Sequence, residues 1–206
     1  EKVGGIFAET MHEDMTVLRG IPPWIIMYLK ALTKKTGKSI GELFPHLSLY
    51  VHGGVHFAPF KSKLRELMGD SVHMMDTFPA SEGFFAYQID SDKAGMLLNI
   101  NAGIFYEFVE MELFLKSGAI HTKRLGEVEL NVQYVLIIST NAGLWRYVIG
   151  DTIKFISLNP YKILVTGRIK QFISAFGEHV ISEEVDTSMD VLMTQFGIGV
   201  RDFHVC

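Results

Sequence analysis

A hydroxyl, a carboxylate and several small residues stand together in Phe78-Pro79-Ala80-Ser81-Glu82-Gly83. A small-residue turn at a strand end brings backbone N–H groups close to whatever binds there. The Ser81 hydroxyl can donate to a phosphate oxygen, and Glu82 supplies the hard oxygen ligand that magnesium prefers. On these residues alone a solvated turn is the simpler reading, since short motifs recur by chance. Farther along, Gly150-Asp151 ends a strand beginning near Leu144. That places the Asp151 carboxylate at a loop edge, where it can accept both hydroxyls of a ribose; aspartate is also a common turn residue. Thr166-Gly167-Arg168-Ile169-Lys170 sets two cations between a strand and an apparent second domain, which a linker with outward charges explains equally well.

Other spacings carry less. Gly37-Lys38-Ser39 invites a phosphate-loop reading, but the required earlier glycine position is Leu32, inside a helical pattern. His52 and His56 would share a helix face for zinc, yet Gly53-Gly54 between them argues against a helix. Glu9 and His12 have the Glu-x-x-His spacing of di-iron bundles, which need the motif twice. Metal-free histidines are the expectation for both.

The elements that must position these groups follow from periodicity. Pro22-Pro23 opens a helix closed by Gly37, and Ser39 with Glu42 has capping-box spacing for a second, short one. A strand is expected at Leu47 to Val51, a helix with Phe60, Leu64, Leu67 and Met68 on one face, and a strand at Val72 to Asp76. From Phe84 to Val165, β-branched and aromatic residues broken by Gly, Asn and Asp predict hairpins and a meander. A strand from Phe172, a helix capped by Ser182 with a buried stripe of Val185, Met189, Leu192, Met193 and Phe196, and a strand at Asp202 to Val205 begin a second small domain. The fold class is α/β with an α+β tendency.

With 206 residues, 48% of them hydrophobic, the chain can bury a sizeable core. A net charge of −4 with scattered cations excludes an electrostatic footprint for nucleic acid, so none is expected as a partner. The longest terminal apolar stretch, Trp24 to Leu29, is too short to span a bilayer, and no membrane partner is expected. The single cysteine, Cys206, cannot pair within the chain, which points to a reducing, cytoplasmic compartment. The absence of an initial Met suggests a piece of a longer polypeptide.

In order and separation, four stretches closely resemble the auxin-responsive Gretchen Hagen family of acyl-acid amido synthetases, a branch of the adenylate-forming superfamily. They are Leu49 to Val55, Phe78 to Gly83, Gly143 to Asp151, and Thr166 to Ile173; Ile21-Pro22-Pro23-Trp24 and Phe172 to Val180 resemble the bacterial members. The resemblance implies the later part of a large nucleotide-binding domain over residues 1–168, with a mixed sheet, and the start of a small mobile C-terminal domain over 169–206. It implies an ATP-dependent ligase that adenylates a small carboxylic acid and passes the acyl group to an amino acid; an acyl-CoA ligase and a non-catalytic nucleotide-binding module are the alternatives. The implied cofactors are ATP, through its AMP moiety, and Mg2+. Gly54 and Val55 would lie near adenine, Phe78 would stack on it, Ser81 would touch the α-phosphate, and Pro79, Ala80 and Tyr147 would complete the nucleotide contacts. Glu82 would hold magnesium, Asp151 would grip the ribose, Arg168 would assist, and Lys170 would be the hinge of the small domain. Two substitutions depart from relatives: Phe78 stands where many have tyrosine, and Val148 where plant members have arginine. Neither the Ser/Thr/Gly-rich loop for the outer phosphates nor the late lysine of the small domain is among these residues, so the piece is expected to be inactive alone.

Overall fold

The computed structural model describes residues 2–90, 93–117, 121–169, 173–175, 178–180 and 182–197. The chain divides into two units, Glu1–Pro79 with Tyr87–Lys93 and Ala80–Ala86 with Ala94–Cys206.

The first unit carries helix α1 (Lys2–Thr10), strand β1 (Val17–Arg19) and helix α2 (Pro22–Thr36). Helix α2 starts at the two prolines, whose missing N–H groups are no loss in a first turn. It ends at Gly37, whose N–H donates to the Thr33 carbonyl at 2.9 Å. The capping box forms as the spacing predicts: Ser39 N–H donates to Glu42 Oε2 at 2.8 Å and Glu42 N–H to Ser39 Oγ at 3.3 Å, opening α3 (Ile40–Leu43). Strand β2 (Leu49–Gly53), helix α4 (Ala58–Met68) and strand β3 (His73–Ala80) follow. Strands β1, β2 and β3 run parallel, with Leu49 opposite Val17 on one side and His73 on the other. Leu29, Leu32, Tyr50 and Leu64 have no exposed surface and form the centre of this core. The buried Tyr50 hydroxyl is satisfied by donating to the Gly20 carbonyl at 2.9 Å.

Two boundaries differ from expectation. Strand β2 lies two residues later than Leu47 to Val51. Strand β3 does not stop at Asp76 but continues through Phe78, Pro79 and Ala80, so only Ser81 and Glu82 form the turn. Pro79 is tolerated on the β2 side because β2 pairs with β3 only as far as Thr77, opposite Gly53, and asks for no N–H beyond it.

The second unit is built on antiparallel strands: β4 (Gly83–Tyr87), β5 (Met96–Leu98), β6 (Ile104–Glu110), β7 (Gln133–Thr140), β8 (Tyr147–Leu158) and β9 (Tyr161–Arg168). Their spatial order is β4-β5-β9-β8-β7-β6. The expected meander is therefore present, with a short helix α5 (Met111–Ser117) that the β-rich pattern hid. Five consecutive residues of β7, Tyr134 to Ile138, are wholly buried, so both faces of that strand are covered. Beneath it the Phe108 ring meets Phe155 edge-on at 5.2 Å and Tyr134 at 6.0 Å.

Strands β10 (Ile173–Ala175) and β11 (Glu178–Val180) form a hairpin, and helix α6 (Ser182–Phe196) follows. Leu192 and Phe196 are 43% and 64% exposed, so the stripe expected to be buried is open at these positions. Helical periodicity reports an apolar face but not the presence of anything against it. Lys170, Phe172, the Val185 side chain and the strand expected at Asp202 to Val205 lie outside the described residues.

Candidate nucleotide site

Asp151 lies inside β8, not at a strand end, and its cross-strand partner on β9 is Arg168. Arg168 Nε donates to Asp151 Oδ1 at 2.8 Å. The partners differ in exposure: the Asp151 side chain is 9% exposed and the Arg168 side chain 69%. One carboxylate is thus held by an arginine whose own side chain is largely exposed.

Strand β8 leaves the regular ladder on both sides of this pair. Toward β7, Thr152 pairs with Val135 and Val148 with Ile137, so Ile149, Gly150 and Asp151 together stand opposite Leu136. Toward β9, Thr152 pairs with Gly167 and Ile153 with Val165, leaving Thr166 as an extra residue. Such bulges re-aim side chains without ending a strand. This is why the carboxylate can be presented although the strand runs on. Gly150 sits at φ 93°, and a Cβ there would meet nothing within 4 Å, so its backbone conformation and not lack of space calls for glycine.

Burial is the largest influence on Asp151 and pushes its carboxyl above the usual aspartate value; the charge and hydrogen bond of Arg168 oppose this, and the charge of Glu82 adds to it. Glu82 is therefore near enough to be felt by Asp151 although about 70 residues separate them in sequence. Glu82, Asp151 and Arg168 belong to the same unit. Ser81 and Tyr147 belong to the same unit and are exposed, Tyr147 by 41%; Ala80 is half-buried.

Gly54, Val55, Phe78 and Pro79 belong to the first unit. Gly53 and Thr77 are the last paired residues of the parallel strands β2 and β3, and Gly54 and Phe78 directly follow them. A Cβ at Gly53 would collide with the Thr77 carbonyl oxygen, so glycine is required there for the strands to approach. Gly54 and Val55 are exposed, whereas Phe78 is buried at 7%. His52 lies in β2 and stacks on Phe57 at 3.6 Å, so its ring does not share a helix face with His56.

Two polar groupings near Asp151 carried no signal in the sequence. Thr152 and Thr166 are buried with their hydroxyls 2.9 Å apart, and Gln133 Nε2 donates to Thr166 Oγ1 at 2.9 Å and to Thr152 Oγ1 at 3.3 Å. Arg146, immediately before Tyr147, has φ 45°, unusual for a non-glycine residue. Its N–H donates to Ser139 Oγ at 2.9 Å and its Nε to Glu107 Oε2 at 3.1 Å, while Thr122 Oγ1 donates to Glu107 Oε1 at 2.8 Å. Flanking threonines are common in strands, and a Glu–Arg pair 39 residues apart leaves no local pattern.

Among the described residues no group of three or more His, Cys, Asp or Glu is placed to hold a metal, and no helix is long and apolar enough to cross a membrane.

The fold is similar to part of two solved ligases. A 2-hydroxyisobutyryl-CoA ligase in its postadenylation state matches with a TM-score of 0.67 at 14% identity, over 92% of this chain and 40% of that one. GH3.15 acyl acid amido synthetase matches with a TM-score of 0.60 at 16% identity, over 76% of this chain and 28% of that one. Sequence narrows the kinship. Residues 97–168, which include Asp151 and Arg168, match the GH3 family central domain. Over 121 residues the chain is 29% identical to the jasmonoyl–L-amino acid synthetase JAR4 of Nicotiana attenuata, 56% of this chain and 21% of that protein. This chain is a relative of the GH3 family, and it spans about a fifth (21%) of the length of that curated relative.

Proposed function

We propose that the protein carrying this chain is an ATP-dependent ligase that activates a small carboxylic acid as its acyl-adenylate and transfers the acyl group to an amino acid. The observation that carries this is the Asp151–Arg168 ion pair, which lies inside the stretch, residues 97–168, that matches the GH3 central domain.

A carboxylate is a poor acyl donor, and its mixed anhydride with AMP supplies a leaving group. Asp151 would accept the two ribose hydroxyls, and Arg168, anchored by Asp151 and otherwise open, would aim its free donors at the nucleotide. Ser81 would donate to the α-phosphate. By the resemblance, Gly54 and Val55 would flank adenine, Phe78 would present its ring to it, and Pro79, Ala80 and Tyr147 would be further nucleotide contacts. Glu82 offers the oxygen ligand that a hard cation prefers and would hold magnesium. Magnesium, when bound, would offset charge on the departing pyrophosphate. The amino acid's amine then attacks the activated carbonyl, after residues from 169 onward swing about Lys170. The chain's charge pattern offers no seat for nucleic acid, and a reducing cytoplasm suits its single cysteine.

In the full-length protein, ATP–pyrophosphate exchange should appear with some member of a panel of small carboxylic acids. No exchange with any acid, alongside AMP binding, would leave a non-catalytic nucleotide-binding module. The coverage of the CoA-ligase match favours a second reading, in which the acceptor is CoA. Offering amino acids and CoA separately to the same enzyme decides between them. Lys170→Pro should slow amide formation while exchange persists; equal loss of both would remove the hinge role.

A further inference from the structure

We infer that Gln133, Thr152 and Thr166 form a positioning device that sets the Asp151–Arg168 pair for nucleotide binding, an inference that rests on the adenylating function proposed above. Below the bulge, β8 and β9 pair in regular register: Phe155 with Ile163, Lys154 with Leu164, Ile153 with Val165. Continued without interruption, that register would set Thr152 opposite Thr166, Asp151 opposite Gly167, and Arg168 opposite Gly150. The extra residue Thr166 shifts the count by one, and only then does Asp151 face Arg168. Because side chains alternate across a strand, directly opposite residues share a face and residues one step out of register do not. The acid–base pair therefore exists because one residue of β9 is looped out.

A looped-out threonine in a sheet interior needs its hydroxyl satisfied. Thr166 is 2% exposed and Thr152 is 1% exposed. Their hydroxyls bond each other, and the amide of Gln133, reaching from the start of β7, donates to both. Three strands are thus tied at the bulge. Thr152 directly follows Asp151, and Thr166 stands two residues before Arg168. None of the three side chains needs to touch nucleotide. They act by fixing where the acid and the arginine stand.

The test uses the full-length protein and AMP binding by calorimetry, with circular dichroism to establish folding. Thr166→Val keeps the shape and removes the hydroxyl; Thr166→Ser keeps the hydroxyl and removes a methyl. The expected result is AMP affinity weakened by about fivefold to tenfold in Thr166→Val, which removes the hydroxyl's bonds to both Thr152 and Gln133, with Thr166→Ser near the parent. Gln133→Met, which removes both donors at similar length, should weaken AMP in the same direction and serves if Thr166→Val does not fold. In steady state the parent-to-variant change should fall on KM for ATP more than on kcat. Unchanged AMP affinity in folded Thr166→Val or Gln133→Met would overturn the inference and leave the nucleotide function standing. Equal weakening in Thr166→Val and Thr166→Ser would also overturn it, since packing and not the hydroxyl would be responsible. Failure of the parent itself to bind AMP would overturn both.

Discussion

Replacing Asp151 by asparagine separates a binding role from a structural one by the sign of two effects. Asparagine keeps the shape and one acceptor oxygen, so Arg168 Nε retains its partner at the Oδ1 position. What is lost is the negative charge and one of the two acceptors available to a ribose. A hydrogen bond to a charged group contributes about 1.5–3 kcal/mol, so AMP affinity should fall about tenfold to a hundredfold. The effect on stability should be small or opposite. The Arg168 side chain is 69% exposed, and an ion pair so screened contributes roughly 0–1 kcal/mol. Against that loss, the variant no longer holds a carboxylate in a site where burial disfavours its charged form. Melting and AMP calorimetry on the same full-length preparations should therefore show weaker binding with a melting temperature equal to or above the parent's. A melting temperature that drops in proportion to affinity, or an affinity that does not move, would refute the role assigned to Asp151.

Acid should weaken AMP binding through the same residue. Burial raises the folded-state value of the Asp151 carboxyl, so the charged form is lost on acidification at a higher pH than for an exposed aspartate. Arg168→Gln, by removing the opposing charge, should move the midpoint higher still, and a downward move would contradict the assignment. Glu82→Gln should shift the Asp151 midpoint down, by removing a like charge, and raise the magnesium concentration needed for pyrophosphate exchange; an unchanged magnesium dependence would remove Glu82 as a ligand. Phe108→Ala, which empties the centre of the aromatic cluster against Phe155 and Tyr134, should cost about 3–5 kcal/mol in denaturant unfolding.

Where a local rule decides structure, the sequence was readable. The prolines and Gly37 bound α2, and Ser39 with Glu42 announced the capping box, because each signal acts within one helical turn. The meander followed from composition. The site was readable as a set of residues but not as a geometry. Ser81 and Glu82 do form a turn, yet Phe78 to Ala80 are expected there and are strand, since Pro79 falls just beyond the stretch of β3 that pairs with β2 and so breaks no bond of that ladder. Asp151 was expected at a strand end because Gly150 reads as punctuation, whereas the glycine turns a bulge and β8 continues. Bulges depend on partners from other strands, as Thr166 does on Gln133, and no window of one strand contains that information. The buried Glu107 and its partner Arg146 escaped notice for the same reason. In α6 the apolar period was right about the helix and silent about a partner for Leu192 and Phe196.

The double-sided burial of β7 bears on how this sheet avoids misassembly. A strand with one wet face is punished for slipping by one position, because its apolar side chains would turn to water. From Tyr134 to Ile138 that penalty is missing, since both faces of the strand are shut off from water. Discrimination must then come from groups that tolerate only one alignment: the Tyr134 hydroxyl, which accepts the Glu129 N–H at 3.0 Å, and the amide of Gln133 at the strand's first position. A few polar atoms at one end of β7 thus act as its indexing mark.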